Sequence, residues 1–256
     1  MNSTLPNVFP PLKFADSPVD PRQYIEKGTG AAKAAGMVLV TIIFLVLTIV
    51  TYGIGLIVLL LIDYFNRKRA MAKLKGSAIE VGPEQFPELH ECASKLAARL
   101  GLKQPPAIYV VESRALNAFA SRIGNRQVIL LMDDVVDACL RSGDPRTMGF
   151  ILGHELAHHA LGHTRRFQAY LAFNYKRLSR LNEFTCDAVA RALVGEPQIA
   201  AQALIVLLTG PQLLPYVNID ALLRQAQEVA SDKNSVRAEK RLSHPLLLRR
   251  LQHMLS

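Results

Sequence analysis

The strongest hydropathic feature of the chain is an uncharged run from Gly36 to Ile62, GMVLVTIIFLVLTIVTYGIGLIVLLLI. No polar alternation interrupts it, so it reads as helix rather than strand despite its Val and Ile content. A continuous helix of that length would extend about 40 Å, against a hydrocarbon core of about 30 Å. The pattern therefore predicts one tilted transmembrane helix over residues 36–63. A hairpin folding at Tyr52-Gly53-Ile54-Gly55 is the competing arrangement, and it would leave Leu56 to Ile62 as an arm too short to cross. The run starts well inside the chain and no basic cluster opens the sequence, which excludes a cleaved signal peptide. Residues 1–35 carry Pro6, Pro10, Pro11, Pro18 and Pro21 and are expected to be an extended N-terminal segment.

Beyond Asp63 the periods change. Pro83 to Leu100 has helical apolar spacing and stops at Gly101, a good terminator. Ala107 to Val111 reads as a short strand. Asn117 to Ser121 and Gln127 to Met132 flank Gly124-Asn125 and read as a β-hairpin. From Asp133 the chain is helical almost to its end, with breaks at Gly143-Asp144-Pro145, Gly195-Glu196-Pro197, Gly210-Pro211 and Ser243-His244-Pro245, which gives about five helices. The apolar stretch Ile199 to Leu208 is too short to cross a membrane and is expected to be a buried helix. Ala230 to Arg241 is polar and charged and reads as a mobile loop. The expected fold is α+β: one N-terminal transmembrane helix, then a mostly helical domain over 64–256 with a small antiparallel sheet.

Composition narrows the class. Half the residues are apolar and a fifth are charged, which excludes a disordered chain. Cys92, Cys139 and Cys186 are widely spaced and are expected to be free thiols in a reducing compartment. After Asp63 there are 26 basic and 17 acidic residues, which accounts for the net charge of +9. No aromatic-interleaved basic patch or zinc knuckle accompanies that charge, so the expected partner is an anionic lipid bilayer and not nucleic acid. Arg67, Lys68, Arg69, Lys73 and Lys75 follow the apolar run directly and predict a cytoplasmic C-terminal domain on a single-pass inner-membrane anchor. Nothing in the sequence reports an oligomeric state.

The candidate chemistry lies in Phe150-Ile-Leu-Gly-His-Glu-Leu-Ala-His-His159, which holds His-Glu-x-x-His inside a helical run. Residues four apart stand on one helix face, so His154 and His158 can reach one ion, and zinc favours such nitrogen ligands. Glu155 is placed to act on a water beside that ion. His159 and His163 lie off this face and read as surface or packing residues, while Thr164 and Leu161 break the metzincin pattern. Glu183, in Asn182-Glu-Phe-Thr-Cys-Asp187, can complete a His₂Glu site with one zinc per chain. Asp187, a turn further on, can accept the free N–H of a ligand histidine, with pairing to Arg180 or Arg191 as the alternative. Cys186 reads as a small core residue.

These segments, His154 to His163, Glu183 to Asp187, and Asn117-Ala118-Phe119-Ala120, resemble the HtpX-type membrane peptidases of peptidase family M48, relatives of the CAAX prenyl-protein proteases. The order of membrane segment, strand, metal helix, second helix and terminal His-Pro is also similar. The resemblance implies a gluzincin fold and zinc endopeptidase activity on membrane or unfolded proteins. It implies that Asn117 to Ala120 form the strand that binds peptide substrate. It also implies that His244 approaches the zinc, either donating to the oxyanion with Glu155 as the base or filling the fourth zinc position at rest. A membrane-tethered zinc-binding or chaperone-like module without proteolysis is the rival, and the presence of Glu155 argues against it.

Overall fold

The computed structural model describes residues 14–113, 116–142, 144, 146–210 and 212–255. The expected extended conformation of residues 1–13, with Pro6, Pro10 and Pro11, lies outside these, as do Gly143, Pro145 and Pro211 at two of the expected breaks. Residues 14–28 hold a short 3-10 helix at Pro21–Tyr24, capped by Asp20, and the first helix, α1, already begins at Thr29 and runs to Val50.

The uncharged run does not form one helix. Tyr52 and Gly53 both take left-handed backbone angles, φ 51° and 84°, and end α1 there. Helix α2, Ile54–Ser77, starts at once and continues through Asp63 and the basic residues to the sheet. A Cβ on Gly55 would lie 3.1 Å from Leu47 Cδ1, which shows the chain folding back on itself. The sequence reading ended the second arm at the first charge, but charged residues continue a helix readily once it has begun. α1 remains the helix long and apolar enough to cross a membrane among the described residues.

The sheet has four strands in the order β1 (Ala78–Glu80), β2 (Ala107–Val111), β4 (Arg126–Met132), β3 (Ala118–Ile123). β1–β2 and β3–β4 pair antiparallel, but β2 and β4 pair parallel, so the sheet is mixed and not purely antiparallel. The two central places go to β2, apolar throughout, and to β4, whose Val128, Ile129 and Leu131 are fully buried. β3 becomes the edge.

Helix α3, Pro87–Arg99, matches the expected segment. After the sheet come α4 (Asp133–Arg141), α5 (Arg146–Ala160), α6 (Arg166–Asn174), α7 (Lys176–Val194), α8 (Pro197–Thr209), α9 (Ile219–Ser231), α10 (Lys233–Glu239) and α11 (Leu247–Leu255). α8 is the buried helix expected at Ile199 to Leu208, with Ala200, Ala203 and Val206 fully enclosed. The segment read as a mobile loop is largely helical. Asp232 accepts the Ser235 N–H at 2.7 Å, a helix cap that starts α10 in a stretch with no apolar periodicity.

The main core encloses α5 between α3, α7, α8 and the sheet. A second, smaller cluster joins the foot of α1 (Ala32, Val40) to Leu171 of α6 and Leu178 of α7.

Candidate metal centre

α5 is buried along almost its whole length, including both polar groups His154 and Glu155 at 5% and 7% exposure. It can approach α7 closely because residue 153 is glycine: a Cβ there would meet Leu193 Cδ1 at 3.0 Å and Ala190 Cα at 3.5 Å. That approach brings Glu183 of α7 against His154 and His158 of α5.

The donor atoms form a tight triangle. His154 Nε2 and His158 Nε2 are 3.2 Å apart, His158 Nε2 and Glu183 Oε1 3.4 Å, and His154 Nε2 and Glu183 Oε2 3.5 Å. Ligands about 2.0–2.1 Å from one tetrahedral centre are separated by about 3.3–3.4 Å. Each of the three separations lies within a few tenths of an ångström of that spacing, the two histidines each facing a different oxygen of the Glu183 carboxylate. Two imidazole nitrogens facing each other at 3.2 Å gain little from mutual hydrogen bonding, whereas a shared cation satisfies both lone pairs. The donor set fits zinc, whose preferred ligands are these.

The surrounding groups fix this geometry. His154 Nδ1–H donates to Asp187 Oδ1 at 2.9 Å, which leaves Nε2 free to face the triangle. Arg250 of α11 grips Asp187 with two bonds, Nε to Oδ2 at 2.8 Å and Nη2 to Oδ1 at 2.6 Å. Burial would raise the Asp187 carboxyl, but the Arg250 guanidinium and the His154 bond hold it below its usual range. Burial would also lower the His154 imidazole, yet its bonds to Asp187 and Glu183 hold it up at about 10. Glu155, Glu183 and Asp187 together face the single guanidinium of Arg250, an anionic surplus that a dication neutralises.

His163 departs from the expected surface or packing role. Its Nδ1 lies 3.2 Å from His158 Nδ1 and 3.7 Å from Cys186 Sγ, so it stands behind His158 much as Asp187 stands behind His154. Burial pushes the His163 imidazole down to about 3, which keeps it neutral. His158, His163 and Cys186 form a second close group, and the Cys186 thiol is raised by burial. His159 is a buried packing residue that bridges Val128 O and the Thr164 hydroxyl. All three cysteines are free and buried.

His244 lies in the segment between α10 and α11 and is more than half exposed, with Nδ1 3.0 Å from Glu183 Oε2. The hydrogen bond to Glu183 raises its imidazole above the ordinary value despite partial burial. Its segment is tethered, since Arg180 Nη1 donates to the carbonyls of Glu239, Lys240 and Leu242 at 3.0–3.1 Å. Arg180 and Arg191, the alternative partners of Asp187, are thus engaged elsewhere, Arg191 with the Met254 carbonyl.

A cavity of about 130 Å³ opens over the triangle, lined by His154, Glu155, His158, Glu183, His244 and Arg250 on one side. Asn117, Ala118, Phe119 and Ala120 line the other, along edge strand β3, together with Phe150, Ile151 and Leu207. The structure therefore brings every residue picked out in the sequence to one cavity or, for Asp187, directly behind it. Sequence reasoning missed Arg250, His163 and Leu207. Arg250 sits in a terminal helix whose alternating basic and apolar residues look like a solvated amphipathic surface, so only the tertiary pairing singles it out.

A buried His₂Glu triangle with an adjacent glutamate, beside an exposed strand edge, defines the class of metal-dependent peptidases. Residues 83–176, little more than a third of the chain, match the model of Peptidase family M48, a stretch that includes the His-Glu-x-x-His helix, so this part of the chain is similar to that family of metallopeptidases. It is 25% identical over 199 residues to the plastoglobule-localized metallopeptidase 48 of Arabidopsis thaliana, covering 67% of this chain and 57% of that protein. It is 31% identical over 105 residues to a protease HtpX homolog of Bifidobacterium longum, covering 41% of this chain and 32% of that protein. The chain thus spans little more than half the length of one relative and a third of the other. No solved structure matches it.

Proposed function

We propose that the protein is a membrane-anchored zinc endopeptidase that hydrolyses peptide bonds in membrane or misfolded proteins. The observation that carries this reading is the donor triangle of His154, His158 and Glu183, spaced as the edges of a tetrahedral site, with Glu155 in the same cavity. A zinc ion held by these three groups would supply Lewis acidity to the scissile carbonyl and to the attacking water. Glu155 takes the proton from that water and returns it to the leaving amine. Asp187, clamped by Arg250, keeps His154 in the tautomer whose Nε2 faces the cavity.

The substrate lies extended along β3. This strand pairs only with β4, so its outer edge presents backbone groups to a peptide from Asn117 to Ala120. Main-chain pairing tolerates many sequences, as a quality-control protease requires. His244, resting on Glu183, either donates to the oxyanion or occupies the fourth position at rest.

The membrane element is the α1–α2 hairpin. From Met37 to Phe65 its apolar side chains are largely exposed, whereas Ala32, Gly36 and Val40 pack on the catalytic domain. Both arms return to that domain: Phe44 of α1 meets Tyr170 of α6, and α2 runs into β1. The exposed arms extend about 21 Å and 18 Å, short of the roughly 30 Å hydrocarbon core. We read the hairpin as entering from the domain's side with the turn at Thr51 to Gly53 deepest, although α1 is by length and composition still the candidate for the single crossing expected from hydropathy. Orientation toward the cytoplasm still follows from the basic residues beyond the run.

The test is bound zinc, measured by elemental analysis of the purified full chain, in wild type, His154→Ala and Glu183→Ala. One zinc per chain in wild type and loss in both variants is expected. Zinc retained in Glu183→Ala, or none in wild type, would contradict the assignment.

A further inference from the structure

The turn between β3 and β4 projects Gly124 and Asn125 toward α2 at the level where its apolar stretch ends. A groove of about 640 Å³ lies there, between Leu60, Tyr64, Lys68 and Met71 of α2 and Gly124, Arg126 and Arg166. Two adjoining hollows are lined by Arg122, Arg126, Arg165 and Arg166 around the same turn. Four arginines and one lysine, from α2, β3, β4 and the start of α6, thus converge on one rim, with Asp63 the single acidic residue among the lining groups.

These cations differ from the other arginines of the domain. Arg146, Arg180, Arg249 and Arg250 are each paired with a buried or half-buried carboxylate. Among the described residues, none of Arg122, Arg126, Arg165 and Arg166 has such a partner. The Arg122 Nε is buried and without a hydrogen-bond partner among the described residues, and leaving a charged donor unsatisfied is costly.

The rim stands at the boundary between the exposed apolar surface of α2 and the polar domain. Phe167, next to Arg166, is exposed, as is Phe173 at the other end of α6, which packs along α1 with these aromatic side chains uncovered. Apolar chains below, aromatic groups at the boundary and guanidinium forks above match the layers of a phospholipid. We propose that Arg122, Arg126, Arg165, Arg166 and Lys68 form a binding site for the phosphate of an anionic lipid headgroup, whose acyl chains lie along α2 at Leu60 and Tyr64. Guanidinium groups bind phosphate with paired, oriented hydrogen bonds, which makes the site more selective than diffuse surface charge. It rests on the reading of the α1–α2 hairpin as the membrane element.

The experiment uses the purified full chain exchanged from detergent into vesicles and followed by flotation. One vesicle is phosphatidylcholine alone and the other an equimolar mixture with phosphatidylglycerol. Wild type is expected to float with both and to partition more strongly into the anionic one. At about fivefold per cation near an anionic surface, Arg126→Gln with Arg166→Gln should reduce that preference by about twentyfold. Both side chains are exposed, so this double variant keeps the core intact. Adding Arg122→Gln should reduce what remains by about a further fivefold. Equal partition of wild type into both vesicles, or a preference unchanged in the double variant, overturns the headgroup site while leaving the membrane anchor standing. Flotation with neither vesicle overturns the membrane reading and this site with it. Inorganic phosphate titrated against the chain in neutral detergent distinguishes the sources: saturable binding lost in the double variant, with no vesicle preference, assigns the rim to a free anion and overturns the lipid proposal.

Discussion

His159 stands beside a metal ligand and does something different from it. Its Nε2–H donates to Val128 O at 3.1 Å and its Nδ1 accepts from the Thr164 hydroxyl at 3.0 Å, which ties α5 to the sheet. Only the bond from the Thr164 hydroxyl needs Nδ1 unprotonated, and burial pushes the imidazole down to about 4 against the bond to Val128, which favours the charged form. An unfolded histidine takes up its proton near pH 6.5, so between that value and about 4 the unfolded chain binds a proton that the folded one refuses. Stability conferred by this group is full above pH 6.5, falls as pH drops toward 4, and levels off below. The loss should reach about 3 kcal/mol. Denaturant unfolding across that range should show the decline in wild type and a flatter profile in His159→Gln; parallel profiles would remove His159 as the cause.

At the scale of elements, α5 depends on a segment far from it in sequence. Phe14 packs over Gly149, five residues before His154, so closely that a Cβ on residue 149 would collide with the Phe14 ring. Val19 N–H bonds to Arg99 O, and Arg99 donates to the carbonyls of Ser17 and Leu193. Residues 14–20 thus form a strap across α3 and the metal helix. Gly149→Ala should destabilise the fold by about 1–3 kcal/mol through overpacking. Combined with Phe14→Ala, which removes the ring it collides with, the same substitution should cost measurably less. Additive losses in the double mutant would show that the ring is not what Gly149 accommodates.

That strap was invisible in the sequence, where Phe14 is one aromatic residue among prolines. Local patterns were legible where a period or a turn residue announced them: β2 at Ala107–Val111, the hairpin at Gly124-Asn125, and the i, i+4 histidines of α5. His154, Glu155, His158, Glu183 and Asp187 carried their own chemistry and were legible by donor type and helical spacing, whereas Asn117 to Ala120 and His244 rested on the family resemblance. What stayed hidden depended on partners remote in the chain: the Arg250 clamp on Asp187, His163 behind His158, and the parallel pairing of β2 with β4. The break at Thr51 to Gly53 was visible as two glycines, but an uncharged run gave no reason to prefer a bend over a straight span.

For the molecule as a whole, the proposed hairpin anchor would set how the cavity meets a substrate. Entry and return on one side would place the domain against a single membrane surface, with Tyr52, the most exposed aromatic among the described residues at 93%, at the tip. Cys92, Cys139 and Cys186 are buried, so Tyr52→Cys introduces the only accessible thiol among the described residues. In sealed proteoliposomes that cysteine should resist a membrane-impermeant maleimide added to either face and react only after detergent. Labelling from the face opposite the catalytic domain would show that the helices cross. The central claim, that this chain cleaves peptide bonds at the His154, His158 and Glu183 centre with Glu155 as base, is tested most directly by casein cleavage with wild type and Glu155→Gln at equal zinc content. Wild type should cleave and the variant should lose at least about 10²–10⁴ of the rate while keeping its zinc. Equal cleavage by both, or none by zinc-loaded wild type, would contradict it.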